Sequence, residues 1–320
     1  MSKSYYSLGL MSGTSMDGID LSIIKSDGKT KYTVILDKYF RYSKGIHHNL
    51  VNIRDKIKNS NDLIKYKKQL NLIEKEITIF HAEIVKKTLK KIKLNISFIG
   101  FHGQTIFHNA NQKISKQLGD GKLLSKITKK VVIYDFRKND IRNGGQGAPL
   151  TPIFHKLIIN QYKLKLPTLI LNIGGITNAT WKKPGSKMTS FDIGPGNCLI
   201  DKWVRSNSNK KYDKNGTYAK NGKINKGLLQ YLFNFYNKMG LKNQLSYDVN
   251  DFNDQIKYIN GLSLKDGAAT LTEYTAEILY KKIFDSKPLF FANIVISGGG
   301  RKNKFLIKTI KNKINYSLKL

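Results

Sequence analysis

The sequence predicts an α/β fold built from two similar domains, and three observations carry that prediction. Short apolar runs alternate with longer stretches of helical periodicity. Three of the short runs carry glycine-rich turns: LGLMSGTSMDGID from Leu8, FDIGPGN from Phe191 and IVISGGG from Ile294. The chain also echoes itself, each half showing strands, a turn with glycine and aspartate, more strand, then helix. With 320 residues, 40% of them hydrophobic, there is material for two sizeable cores. The structure-breaking segment NGGQGAP marks the expected boundary, giving domains at 1–145 and 146–320.

Taken in order, residues 5–11, 19–25 and 32–40 read as consecutive strands, the first two joined by a turn over 13–18. Residues 62–93 read as a long helical region, with Leu63, Tyr66, Leu70, Ile73, Ile77, Phe80, Ile84 and Leu89 near helical spacing. Residues 97–101 form a short strand running into HGQT, and 131–136 another running into RKNDIRNGGQGAP. The second half supplies strands at 169–173, 188–192 and 294–297, and helices at 228–238 and 266–284. The polar, Lys- and Asn-rich stretch 206–226 reads as loop, and a further helix is expected from about Lys302.

The net charge of +34 invites a nucleic-acid reading. Only six of the 56 basic residues are Arg, however, and the lysines are scattered through every segment. Base readers and phosphate clamps use the planar fork of Arg, so the charge reads as a solvated lysine surface. Cys198 is the sole cysteine, which excludes an intramolecular disulfide and a multi-cysteine metal site. It reads as a small buried residue. No apolar run approaches the ~18 residues of a spanning helix, and the N-terminus lacks the pattern of a signal peptide. A soluble cytoplasmic protein without nucleic-acid or membrane partners is expected.

The glycine turns suit a polyphosphate. Glycine brings backbone N–H groups close, hydroxyls add donors, and a carboxylate holds a metal or takes a proton. Asp17 in SGTSMDG is placed to sit near Mg²⁺. Asp192, at the end of a strand with Gly194 and Gly196 behind it, is placed as a general base, the glycine amides facing phosphate. Residues 298–300 let a flat group lie against the backbone. Because the turns are spread along the chain, a nucleotide held between two domains is expected. The histidines of FHGQTIFH, His102 and His108, are six apart, which fits no zinc pattern. His102 suits a sugar hydroxyl. Arg137, Asp140, Arg142 and Gln146 cluster in sequence, and Arg suits a carboxylate-bearing ligand.

In this order, GLMSGTSMDGID, FHGQTIFH, YDFRKNDIRNGGQGAPLTP, LNIGGITN, FDIGPGNCLIDKW, SYDVNDFN, DGAATLTEYTA and ISGGGRKN resemble the anhydro-N-acetylmuramic acid kinase family over nearly the whole chain. The resemblance implies the actin-like ATPase and sugar kinase fold, two ribonuclease-H-like domains with a nucleotide cleft between them. It implies ATP and Mg²⁺ as cofactors, 1,6-anhydro-N-acetylmuramic acid as substrate, N-acetylmuramic acid 6-phosphate and ADP as products, peptidoglycan recycling as pathway, and a homodimer. Asp192 matches the family's base. ATP binding is implied for Gly13, Thr14, Ser15, Met16, Asp17, Gly18, Ile19 and Asp20, with Asp17 at the metal. It extends to Gly174, Gly175, Asn178, Gly194, Gly196 and Asn197, and to Gly298, Gly299 and Gly300 beside the adenosine. The sugar falls to His102, Gln104, Arg137, Asp140 and Gln146.

Two departures from the family pattern stand out. Family members continue beyond the GGG helix with a strand, an acidic loop and a helix returning to the first domain, and that return segment is expected to be missing here. The alternative is therefore a catalytically impaired or non-catalytic actin-like ATP-binding protein. The block SKQLGD at Ser115 is also altered.

Overall fold

The computed structural model describes residues 3–13, 15–109, 112–238, 247–284, 290–314 and 318–319. The chain forms two compact units, Met1–Leu150 and Thr151–Leu320. Each has its own apolar core.

In the first unit, β1 (Tyr5–Ser12), β2 (Gly18–Ser26) and β3 (Tyr32–Arg41) form an antiparallel meander. The pleat explains the buried set: Leu8 and Leu10 on β1 and Leu21 and Ile23 on β2 point to one face and are at most 2% exposed. Next, β4 (Phe98–Asn109) runs parallel to β1. Its first half also pairs in parallel with β6 (Val132–Tyr134), and its second half pairs antiparallel with β5 (Ile114–Leu118). The HGQTIFH motif therefore lies within a 12-residue strand and does not follow a short one.

The helical region over 62–93 is two helices, Ser60–Lys65 and Lys67–Ile92, separated at Tyr66. Asn59 and Asp62 form a capping box at the first. The second buries Leu70, Ile73, Ile77, His81, Ile84 and Val85, the three- and four-residue spacing of a single face. Another helix, Lys44–Lys56, is capped by Ser43, whose hydroxyl accepts from the Ile46 amide at 3.2 Å.

The second unit repeats the plan. β7 (Thr168–Ile173), β8 (Ile176–Lys182) and β9 (Thr189–Pro195) form a meander, and β10 (Asn293–Ser297) runs parallel to β7. The two-residue β11 (Leu318–Lys319) lies parallel to β10. The order β9-β8-β7-β10-β11 matches β3-β2-β1-β4-β6, the ribonuclease-H-like order, so the internal echo is real at the level of topology. The helix Leu264–Phe284 is buried along most of its length, and the Trp203 indole donates to the Leu264 carbonyl at 3.0 Å. Each fully buried Leu or Ile of this core contributes about 1.5–3 kcal/mol.

The stretch 206–226 is not simply loop. It holds a short 3-10 turn, Lys214–Gly216, and a helix, Thr217–Lys220. Buried Asp213 orders them by accepting from the Tyr218 and Ala219 amides at 2.8 and 3.0 Å.

Candidate active site

In α/β sheets, ligands meet the carboxyl ends of parallel strands. At that edge of the first unit, β1 ends in the 13–17 turn, β4 carries His102 and Gln104, and β6 leads into the helix Phe136–Arg142 with Arg137 and Asp140. The turn is closed by the Met16 amide donating to the Gly13 carbonyl at 3.1 Å, with Met16 at φ 56°. Thr14 lies outside the described residues. Exposed Ser15 donates its hydroxyl to the Asp17 carboxylate. The Tyr39 phenol also bonds Asp17, and burial, then that bond, pushes its pKa above the usual phenol range.

The side chains of Met16 and Ile19 are buried in the core, at 1% and 0% exposure, so only their backbone is on offer to a ligand. Asp20 is exposed on β2, opposite Met11 and Tyr39. Gly18 opens β2 and is buried.

Gln104 is fully buried and sits beneath the turn. Its amide nitrogen donates to the Gly13 carbonyl at 3.1 Å, and its oxygen accepts from Ser12 Oγ at 2.6 Å. Buried Tyr42 donates to the same Ser12 hydroxyl at 3.1 Å. Gln104 thus braces the phosphate-type turn. Sequence reading missed Tyr39 and Tyr42 because aromatic residues on and after an edge strand carry no motif.

Arg137 Nε donates to His102 Nε2 at 3.1 Å, so that nitrogen holds the lone pair and Nδ1–H donates to the Gly103 carbonyl at 2.9 Å. Burial, then the Arg137 charge, lowers the His102 pKa to about 4, and the ring is neutral near pH 7. His108 is lowered to about 4 by the same causes. Its Nδ1 bonds Ser115 Oγ at 3.0 Å, while Nε2 is buried without a partner. Asp140 accepts from the Gly147 amide at 2.7 Å and so shapes the 144–147 loop. Gln146 is exposed on that loop. His102 and Arg137 are therefore in direct contact, and Asp140 acts on the loop that carries Gln146.

At the carboxyl edge of the second unit, β7 leads into Gly174 and Gly175, β9 into Gly196 and Asn197, and β10 into residues 298–300. The first two turns hold each other. The Gly196 and Asn197 amides donate to the Gly175 and Gly174 carbonyls, both at 2.8 Å, and the Cys198 amide donates to Gly175 at 3.2 Å. Of the two glycine amides expected at phosphate, that of Gly196 is thus engaged by a backbone carbonyl. A Cβ at Gly196 would lie 2.3 Å from the Gly174 carbonyl oxygen, so glycine is what lets the turns meet. Cys198 is buried, as its composition predicts.

Asp192 lies within β9, not at its end, and is 6% exposed. A register shift pairs Thr177 with Gly194 and Asn178 with Asp192, so Ile193 is bulged. Carboxylate Oδ2 accepts from the Tyr247 amide at 2.9 Å. Nearby on β8, Asn178 Oδ1 and Thr177 Oγ1 are buried without partners. Tyr247 belongs to the SYDVNDFN block, whose first residue, Ser246, lies outside the described residues. Nothing local in that block ties it to Asp192, 55 residues away.

Two units with one sheet order, each ending in glycine turns with a carboxylate close by, define the actin-like ATPase and sugar kinase class. The family model for anhydro-N-acetylmuramic acid kinase matches residues 5–318, and the chain belongs to that family. It is 48% identical to an anhydro-N-acetylmuramic acid kinase of Pelagibacter ubique (strain HTCC1062), over 98% of this chain and 84% of the relative. The Agrobacterium fabrum (strain C58 / ATCC 33970) enzyme of the same name is 34% identical over 95% and 82%. Among solved structures, component A of the Acidaminococcus fermentans (R)-2-hydroxyglutaryl-CoA dehydratase superposes with a TM-score of 0.47 at 12% identity, over 98% of this chain and 91% of that one. A ROK family glucokinase from Streptomyces griseus, in complex with glucose and AMPPNP, gives 0.38 at 8%, over 96% and 88%. The chain is an enzyme, a sugar kinase that uses ATP.

Proposed function

We propose that the chain opens 1,6-anhydro-N-acetylmuramic acid with water and phosphorylates O6, giving N-acetylmuramic acid 6-phosphate and ADP in peptidoglycan recycling. Asp192 is the general base. It takes a proton from water as the water oxygen bonds the anomeric carbon and the bond from that carbon to the bridging oxygen breaks. The freed oxygen becomes O6 of the product and accepts the phosphoryl group. The observation that carries this reading is a buried carboxylate on a bulged strand, accepting from the Tyr247 amide.

The 13–17 turn takes phosphate, with Ser15 and Asp17 as its polar side chains. Mg²⁺ fits Asp17. Among the described residues no group of three or more His, Cys, Asp or Glu gathers, and Mg²⁺ typically uses one or two carboxylates with substrate phosphates and water. The metal would neutralise phosphate charge. Gly299 meets the adenosine face. His102, neutral and oriented by Arg137, meets a sugar hydroxyl, and Arg137 favours the lactyl carboxylate. The scattered lysines draw anionic substrates inward and are not a nucleic-acid surface. No described helix is long and apolar enough to cross a membrane. We place the enzyme in the cytoplasm, as a homodimer.

The test is ADP release with Mg²⁺-ATP and the anhydro sugar, against a control without sugar. Asp192→Asn is expected to cut turnover at least ~100-fold while ATP still binds. Near-normal turnover by that variant would remove the base assignment.

A further inference from the structure

We propose that Tyr247 is the positioning residue of Asp192, fixing the carboxylate and the strand beside it through one closed circuit of hydrogen bonds. The inference rests on the general-base reading above. The circuit has two arms that start from the same tyrosine. Its backbone amide donates to Asp192 Oδ2 at 2.9 Å. Its phenol lies 3.2 Å from the Tyr236 phenol, which donates onward to the Ile193 carbonyl at 3.3 Å. Since the Tyr236 proton goes to Ile193, the Tyr247 hydroxyl is the donor to Tyr236. The Asp192 side chain and the backbone of the bulged residue next to it are thus held by the two ends of one residue.

The phenol is itself anchored. Lys282, on the helix Leu264–Phe284, donates to it at 3.1 Å, and Tyr236 comes from the helix Lys226–Lys238. The ring packs on Phe252 with centroids 5.3 Å apart. Tyr236 and Tyr247 are 4% and 7% exposed, so water competes little with these bonds. Burial first, then the bond to Tyr236, holds the Tyr247 pKa above the usual phenol range, and the hydroxyl keeps its proton at any working pH. Among the described residues, the other charged or titratable groups about this contact include Lys282, Tyr274, Asp251, raised first by burial, and Asp248 beside it.

Physically, an N–H donated to a carboxylate favours its ionised form and fixes its direction. A base that must meet one water gains from both. Removing the hydroxyl keeps the ring and the amide N–H but cuts the tether to Tyr236 and Lys282, so the amide is free to drift. The carboxylate then becomes easier to protonate, and the acid limb of the kcat profile moves to higher pH.

The experiment compares kcat, KM and pH profiles for the parent enzyme, Tyr247→Phe, Lys282→Met and Asp192→Asn. Tyr247→Phe is expected to lower kcat about fivefold to tenfold with both KM values unchanged, and to raise the acid limb by ~0.5–1 pH unit. Lys282→Met, which loosens the anchor from outside, should shift both readouts the same way but less. It carries the test if Tyr247→Phe folds poorly. Parent kcat and acid limb in both variants, even with a lower Tm, would overturn the positioning role. An active Asp192→Asn enzyme would instead overturn the general-base reading, so the two failures are distinguishable.

Discussion

In the first unit the phosphate-type turn leans on side chains, Ser12, Gln104 and Tyr42. In the second unit the 174–175 and 196–198 turns lean on each other's backbone. The topology is shared, so the difference lies in what the sequence places beneath each turn. A side-chain brace can be tuned or broken at one residue. A backbone brace demands chiefly that glycine keep the two turns close, here with one side-chain bond added, from the Thr275 hydroxyl to the Gly196 carbonyl at 3.1 Å.

Acid should separate the two most sharply. The Tyr42 ring lies 6.2 Å from that of fully buried His81, whose Nε2 has no partner. Burial lowers the His81 pKa to about 4, and His102 and His108 in the same unit are also lowered to about 4. The second unit has one such residue among those described, His155, bonded to Thr180. A folded pKa below the unfolded one means that the unfolded chain binds more protons between the two values. Stability is therefore full above pH ~6.5, falls as pH drops toward 4, and levels off below. His81 alone accounts for about 3 kcal/mol of that loss. Hydrogen exchange should show β1 and β4 opening as pH falls, before the fluorescence of Trp181 and Trp203, which reports the second unit alone. Simultaneous loss would mean that the histidines do not govern the side-chain brace.

A single substitution gives the next largest effect. Gln104→Leu takes the side-chain donor from the Gly13 carbonyl, which keeps only the Met16 amide, and removes the acceptor of the Ser12 hydroxyl, a cost of about 1–3 kcal/mol. The expected kinetic result is a rise of about tenfold in KM for ATP with KM for the sugar unchanged. The opposite split would return Gln104 to the sugar, where its place in HGQT had put it.

The place of Gln104 shows what a sequence makes legible. Alternation in YYSLGLMS and the Gly/Asp turn after it are local, so β1, β2 and their connection were readable. Whether a motif side chain points at a ligand or beneath a turn depends on the strand register, here Ser12 opposite Gln104, and register is not local. The same holds for Asp192. Its strand and its glycines were visible, but the bulge at Ile193 and the amide of Tyr247 come from pairing and from a distant segment. The 206–226 stretch failed for another reason. Its Lys, Asn and Gly composition signals loop, and one buried carboxylate, Asp213, outweighs that by accepting from two amides in the first turn of a helix.

The smallest structural perturbation gives the sharpest test of the backbone-braced side. Gly298 has φ 82° and a Cβ there would lie 2.5 Å from the Ile173 carbonyl oxygen, while at Gly300 it would lie 2.3 Å from Ile173 Cγ2. Those two glycines serve the close approach of β10 to β7. Gly299 between them is exposed, and a Cβ there would meet nothing within 4 Å. Gly299→Ala should therefore leave stability within about 0.5 kcal/mol of the parent. If a flat adenine lies on that backbone, the added methyl lifts it, and KM for ATP should rise about tenfold while KM for the sugar holds. An unchanged KM for ATP would move the adenosine away from residues 298–300 and leave Gly298 and Gly300 with a purely structural purpose.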